Sequence, residues 1–425
     1  MLRELRALYK ETCGDLTGLQ SIEPFVEMLK EAGAYPPFVT ISDGVNEPTC
    51  SIDGEEYLLM CANNYMSLSE HPAVKEAAIQ AVEKYGIGPG GSRLIAGNID
   101  LIEKLEATIT GLTGTEDCLT FPTGYMANVT VLQALLDPFF LGMPCAKESS
   151  ALFLDESNHG SVVDGSALTS ATVTTFRHND LDDLEVKLAG CDRTNKLVVV
   201  EGVYSLEGEI ADIPAILEIA HRNDAWLMVD DAHGVGVVGD HGGGVGEYYG
   251  CADEIDILMG CMDKAMGATG GYLCGRKPII DFLRIAARSS VLSSAIPCGI
   301  AGGVIKAIDL IRNDAARREV LFANAAYLRS TLRERGFTVL GTHDSPSLPL
   351  FMGDEFVGIA FAEKLFQRNI FCSLVRWPAV PQGMARFRVI VMADHSVEQL
   401  EDFADACDEI GRELDVIPSA DLTSV

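Results

Sequence analysis

The sequence predicts an α/β fold: a large domain with a mostly parallel central sheet covered by helices, plus a smaller C-terminal α/β domain. Three observations carry this. From about residue 70, short apolar runs alternate with amphipathic helical stretches. The runs are apolar almost throughout, as strands buried on both faces must be. Polar, glycine-rich segments follow directly on several of them, at the carboxyl ends where open α/β sheets bind ligands.

Residues 1–45 show helical periodicity, through Leu2, Leu5, Leu8 and then Phe25, Met28 and Leu29, ending near Tyr35-Pro36-Pro37. A hairpin is expected next, Thr49–Ile52 against Tyr57–Met60, turned at Asp53-Gly54. The clearest strands are Asp117–Phe121, Ala151–Leu154, Thr172–Phe176, Leu197–Val200, Trp226–Val229 and Asp256–Met259, with helices such as Ile213–His221 between them. After roughly residue 300 a long helical stretch leads into a βαβ-like tail: Phe337–Leu340, Glu355–Arg368, Phe387–Met392 and a last helix from Ser396. The expected division is an N-terminal segment over 1–60, a large domain over 61–305 and a small one over 306–425.

Composition narrows the function. Lys+Arg number 32 against 62 Asp+Glu, a net charge of −30, which repels phosphate backbones and anionic lipid and argues against nucleic-acid binding. The 12 cysteines are scattered, with no CxxC pair and no zinc-type spacing, so no metal is expected. The start lacks a signal-peptide apolar core and no stretch is long enough to span a bilayer; the chain reads as cytoplasmic.

Several segments suit chemistry. Asp230-Asp231-Ala232-His233-Gly234 follows the strand Trp226–Val229; a capped glycine-rich turn with a hydrogen-bonded histidine is the competing reading. Lys264 sits among Gly260, Cys261, Met262, Asp263, Ala265 and Gly267, with room for a bulky partner; alone it would read as a surface lysine. A lysine with a strand-end aspartate a little over thirty residues upstream is the minimal equipment of pyridoxal phosphate (PLP) chemistry, a Schiff-base lysine and a partner for the pyridinium nitrogen. His159, after the strand Ala151–Leu154, could stack on an aromatic cofactor or merely sit in a solvated turn. Thr123-Gly124-Tyr125 opens a helix after a strand, a place for a phosphate or simply an N-cap. Gly86–Arg93 is glycine-rich but follows no strand, so it reads as a flexible loop bringing Arg93 near a substrate.

Taken together, these segments resemble the α-oxoamine synthases, PLP-dependent enzymes of fold type I, from Cys61-Ala62-Asn63-Asn64-Tyr65 to Arg386-Phe387-Arg388. The resemblance implies that Lys264 carries PLP covalently, Asp230 pairs with its ring nitrogen, His233 bonds its phenolic oxygen and His159 covers its ring face. It implies a phosphate site at Thr123, Gly124 and Tyr125, with Cys261 where the family has a threonine. Glu201 and Ser205 would line the cofactor, and Arg388, helped by Asn64, would grip the amino-acid carboxylate. Ser294, in Leu292–Pro297, would reach the cofactor phosphate of a second subunit, in a homodimer with shared sites. The implied reaction condenses glycine, alanine or serine with an acyl-CoA, or an acyl carrier protein thioester, to an α-amino ketone with loss of CO2. Asp263 replaces a usual glycine or serine and Met66-Ser67 a usual Leu-Gly or Met-Gly, so the substrates are left open. An aminotransferase on the same fold and a catalytically inactive homologue are the alternatives.

Overall fold

The structure, a computed structural model, describes residues 18–31, 38–137, 149–342 and 344–418. The periodic positions Leu2, Leu5 and Leu8 and the boundary at Tyr35-Pro36-Pro37 lie outside the described residues; Phe25, Met28 and Leu29 fall in the helix Ile22–Glu31.

The expected hairpin forms. Strands β1 (Ile41–Asp43), β2 (Thr49–Ile52) and β3 (Glu55–Leu59) pair antiparallel. Asp53 and Gly54 take φ of 53° and 85°, the two left-handed residues that a tight hairpin turn matching strand twist requires.

The central sheet comprises β4 (Asp117–Phe121), β5 (Ser150–Asp155), β6 (Thr172–Phe176) and β7 (Asn195–Glu201). After a small hairpin of β8 (Val203–Tyr204) and β9 (Glu209–Ile210), it adds β10 (Ala225–Asp230), β11 (Ile257–Cys261) and β12 (Gly271–Gly275). Its order is β4-β12-β11-β10-β7-β5-β6. The run from β11 to β6 is parallel throughout. Alternate residues feed two separate apolar cores: Val198, Val200, Leu227 and Val229 on one face, Leu197, Val199 and Met228 on the other. Covering both faces is why these strands carry no polar alternation.

Strand β12 was not expected. It is antiparallel to both neighbours, and its sequence, Gly271-Tyr272-Leu273-Cys274-Gly275, reads as more of the glycine-rich lysine loop. The glycine has a tertiary cause: a Cβ on Gly271 would lie 2.5 Å from Gly124 Cα, at the start of the helix Gly124–Leu136.

The C-terminal expectation needs correction. Strands β13 (Ser347–Gly353), β15 (Leu374–Val375) and β16 (Ala385–Ile390) form an antiparallel sheet in the order β13-β16-β15, not a βαβ unit. Phe337–Leu340 is no strand; only Val339 makes a single bridge, to Leu350. It is bracketed by Gly336 and Gly341 at φ of 98° and 84°, which turn the chain away at both ends. The helix Glu355–Phe366 and the final helix Val397–Glu413 form as expected, the latter with Ser396 and Gln399 in a reciprocal capping box. Strand β14 (Ile370–Phe371) pairs parallel with β3, so the N-terminal hairpin and the C-terminal chain share one sheet.

Candidate active site

Asp230 ends β10 and lies beside Glu201, the last residue of β7. It is buried, and its carboxylate accepts from Asn128 Nδ2 at 2.7 Å and from the Ala232 amide at 3.2 Å. The same Asn128 amide group donates to Ser161 Oγ at 2.9 Å, and Ser161 Oγ lies 2.7 Å from His159 Nδ1. One hydrogen-bonded chain thus runs from the imidazole of His159 to the carboxylate of Asp230. Asn128 and Ser161 escaped the sequence reading. The available signal was helical: Asn128 lies one turn beyond Gly124 on the same face.

The neighbouring Asp231 does a different job. It is buried, accepts from Val245 N at 2.8 Å, and is enclosed by Gly202, Gly234 and Gly244, where a Cβ would come within about 2 Å of its carboxylate. It packs the turn that presents His233.

Lys264 stands three residues past the end of β11, largely buried, its Nζ 3.5 Å from Asp263 Oδ1. Burial alone would lower its pKa; Cys261, Asp263 and Asp230 outweigh that and hold it above the ordinary lysine value. His233 is driven well below the usual histidine range by burial, with Lys264, Arg388 and His159 adding to the effect. Those mutual influences mark the four side chains as one site. Glu201 is pushed well above the carboxylate range, by burial first and then by Asp230 and Glu207.

Thr123 caps the helix Gly124–Leu136 through Met126 N at 3.1 Å. The amides of Gly124 and Tyr125, in the first turn, have no intrahelical acceptor and remain available to an anion. Gly124 is obligatory here, because a Cβ would meet Cys261 Sγ at 2.1 Å. Tyr125 is exposed and its hydroxyl donates to Asp164. His159 is exposed at the start of the helix Gly160–Ala167, and Ser205 is buried, its carbonyl accepting from Ser347 Oγ.

Two expectations are corrected. The partner of Arg388 is Asn63, not Asn64: Arg388 Nη2 donates to Asn63 Oδ1 at 3.0 Å. Asn64 is spent on backbone groups, accepting from Leu68 N and Ser69 N of its own loop and donating to Asn46 O in the connection between β1 and β2. Arg93, expected near a substrate, has its guanidinium engaged within the chain. It makes a two-pronged ion pair with the buried Glu106, at 2.5 and 3.0 Å, and bonds Asn98, pinning the glycine-rich loop to the body of the protein. By contrast Arg388, half-buried in β16, has no carboxylate partner among the described residues. Ser294 is exposed, in a segment tied to the same loop by Ala295 N to Gly91 O at 3.0 Å.

The side chains fit PLP: a lysine, a fixed carboxylate, a neutral imidazole and an anion-accepting helix start converge at the strand ends. The comparisons agree. The profile of the family described as aminotransferase class I and II matches residues 55–407. The 8-amino-7-oxononanoate synthase of Geotalea daltonii is 36% identical over 402 residues, 94% of this chain and 99% of that one. That of Thermoanaerobacter pseudethanolicus is 35% identical over 401 residues, 94% and 98% of the two chains. The structure of Sphingomonas wittichii serine palmitoyltransferase superposes with a TM-score of 0.87 at 29% identity, over 95% of this chain and all of that one. A serine palmitoyltransferase from S. paucimobilis with a bound PLP–myriocin aldimine gives 0.86 at 28%, with the same 95% and 100% coverage.

Proposed function

The chain belongs to the aminotransferase class I and II family and, within it, to the α-oxoamine synthases, and on that premise we propose that it joins glycine, alanine or serine to an acyl-CoA. It is a PLP-dependent acyltransferase that condenses an amino acid with an acyl thioester. CoA, CO2 and an α-amino ketone are the products of this reading. The observation that carries it is Arg388, a cation without a carboxylate partner among the described residues, close enough to His233 to depress its pKa.

Lys264 would hold the cofactor aldehyde, Asp230 its ring nitrogen and His233 its phenolic oxygen. His159 would cover its ring, Glu201 and Ser205 would line it, and Thr123, Gly124 and Tyr125 would take its phosphate. When bound, PLP supplies an electron sink for the pair left at the amino acid's Cα. Arg388 and Asn63 orient the substrate carboxylate with charge-assisted hydrogen bonds. Lys264 Nζ takes the Cα proton and later returns one, with Asp263 beside it favouring the protonated form. Asp230 stays fixed because Asn128 and Ala232 hold it.

The acyl carrier in this reading is coenzyme A, since a net charge of −30 disfavours an acidic carrier protein. The assembly is a homodimer. Exposed Ile87, Leu94, Ile95 and Leu292 cluster on the joined loops around Gly91 and Ala295, an apolar surface of the kind that interfaces cover. Sedimentation of Ile95→Asp against the unaltered protein tests this, with a shift to monomer expected.

The reaction is tested by mixing PLP-loaded protein with each amino acid and acyl-CoAs of graded length, and following free thiol. Thiol release that requires both substrates is expected. Amino-group exchange with a keto acid and no thiol would make the protein an aminotransferase instead.

A further inference from the structure

We propose that Tyr65 is a positioning residue that locks the His233 imidazole in its Nε2–H tautomer, so that it presents a single fixed donor to the site. Tyr65 Oη lies 2.9 Å from His233 Nδ1, with the rings edge-on at 79°. Tyr65 is wholly buried and His233 nearly so. The tyrosine backbone is clamped as well: its amide donates to Asn63 O, and its carbonyl accepts from Ala393 N, both at 2.8 Å. The hydroxyl therefore has little freedom to seek another partner, and His233 Nδ1 is its hydrogen-bond partner among the described residues.

The direction of the bond follows from the partner available: were the buried hydroxyl to accept from Nδ1–H, its own proton would be left without an acceptor among the described residues, so it donates, and the two protonation states allow it. Burial pushes the Tyr65 phenol up to about 12, despite the opposing charges of Arg388 and Lys264. It keeps its proton at neutral pH. His233 is held neutral by burial first and then by Lys264 past β11 and Arg388 on β16, with His159 from the helix start acting in the same direction. A neutral imidazole that accepts at Nδ1 carries its proton on Nε2. Without the hydroxyl, the two tautomers become close in energy and the donor at Nε2 is present only part of the time. The tautomer itself is independent of the proposed function; only the identity of the acceptor at Nε2, the cofactor's phenolic oxygen, rests on that reading.

The test begins with the cofactor-free, unsubstituted protein. Nitrogen-15 spectra distinguish the two imidazole tautomers, and among the 8 histidines the His233 signals are those that vanish in His233→Gln. An Nε2–H pattern is expected; an Nδ1–H pattern overturns the proposal without recourse to any variant. In Tyr65→Phe the same signals should become those of a mixture. With PLP loaded, Tyr65→Phe should raise the pH midpoint at which the ~420 nm band is lost by roughly 0.5–1 unit. The amino-acid KM should stay within about two-fold while kcat falls about 3–10-fold. A tyrosine that only packs would lower the melting temperature and leave both the nitrogen-15 pattern and the midpoint where they were, which refutes the proposal. A changed tautomer pattern with an unmoved midpoint upholds the lock and removes the cofactor as the acceptor.

Discussion

The site has two regions of different construction. On the central sheet, Asp230, Glu201 and Cys261 are the last residues of their strands, and Thr123, His159, His233 and Lys264 follow strand ends within four residues. The carboxylate corner is built otherwise: Arg388 projects from the middle of β16 and meets Asn63 across 325 residues of sequence. A parallel sheet assembles strand-end residues as a by-product of forming. The corner exists only when the hairpin end of the chain has come to lie beside the C-terminal sheet.

The sharpest test of the sheet region is Lys264→Ala. Turnover should fall on the order of 10⁴-fold, and borohydride should no longer fix cofactor mass at that position. In the corner, Arg388→Ala should raise the amino-acid KM on the order of 30–100-fold and Asn63→Ala about 5–10-fold. Asn64→Ala should leave KM alone and cost about 1–3 kcal/mol of stability in urea unfolding, since it strands the Leu68 and Ser69 amides. A KM effect from Asn64→Ala would place Asn64, rather than Asn63, at the substrate carboxylate.

Asn128→Leu tests whether the sheet region depends on support behind the strand ends; kcat should fall about ten-fold with little change in KM, as Asp230 loses its 2.7 Å donor. Arg93→Ala should cost about 3 kcal/mol by leaving the buried Glu106 carboxylate without its cation, while Thr120 N and Oγ1 still donate to it, with unchanged substrate KM.

The smallest effect is a pH dependence at His178, whose Nδ1 lies 2.9 Å from Asp155 Oδ1 behind the His159 turn. Burial would lower its pKa, but Asp155, Glu207 and Glu209 together raise it above the ordinary value. Since the folded value exceeds the unfolded one, the stabilisation is complete below about pH 6.5 and is lost as pH rises through the folded value. The melting-temperature gap between the unaltered protein and His178→Gln should therefore be widest below about pH 6.5 and close as pH rises through the raised folded value.

The same division governs what was legible. The strands that end at Asp230 and Glu201 and the one that leads to Lys264 announced themselves as apolar runs followed by polar, glycine-rich segments, and the hairpin turn at Asp53-Gly54 was readable because its backbone demands are local. Strand β12 was hidden because its glycines serve close packing, Gly271 against Gly124 and Gly275 against Asp256, rather than a turn. Asn63 and Asn64 are adjacent and chemically identical, so no property of the chain could say which faced Arg388. Arg93 looked available because its partner Glu106 sits on a separate helix, Asp100–Thr113.

By itself, then, the sequence determined the sheet, the lysine and aspartate at its strand ends and the class of chemistry they equip, because hydrophobic periodicity and turn residues act over a few positions. Only the tertiary structure decided which polar side chains were already spent on one another. Arg93 and Asn64 were satisfied internally, while Asn63, Arg388, Asn128 and Tyr65 were aimed at the site. Hydrogen-bond partners of that kind are chosen by proximity in space, and a buried donor or acceptor takes whatever partner the packing brings within reach.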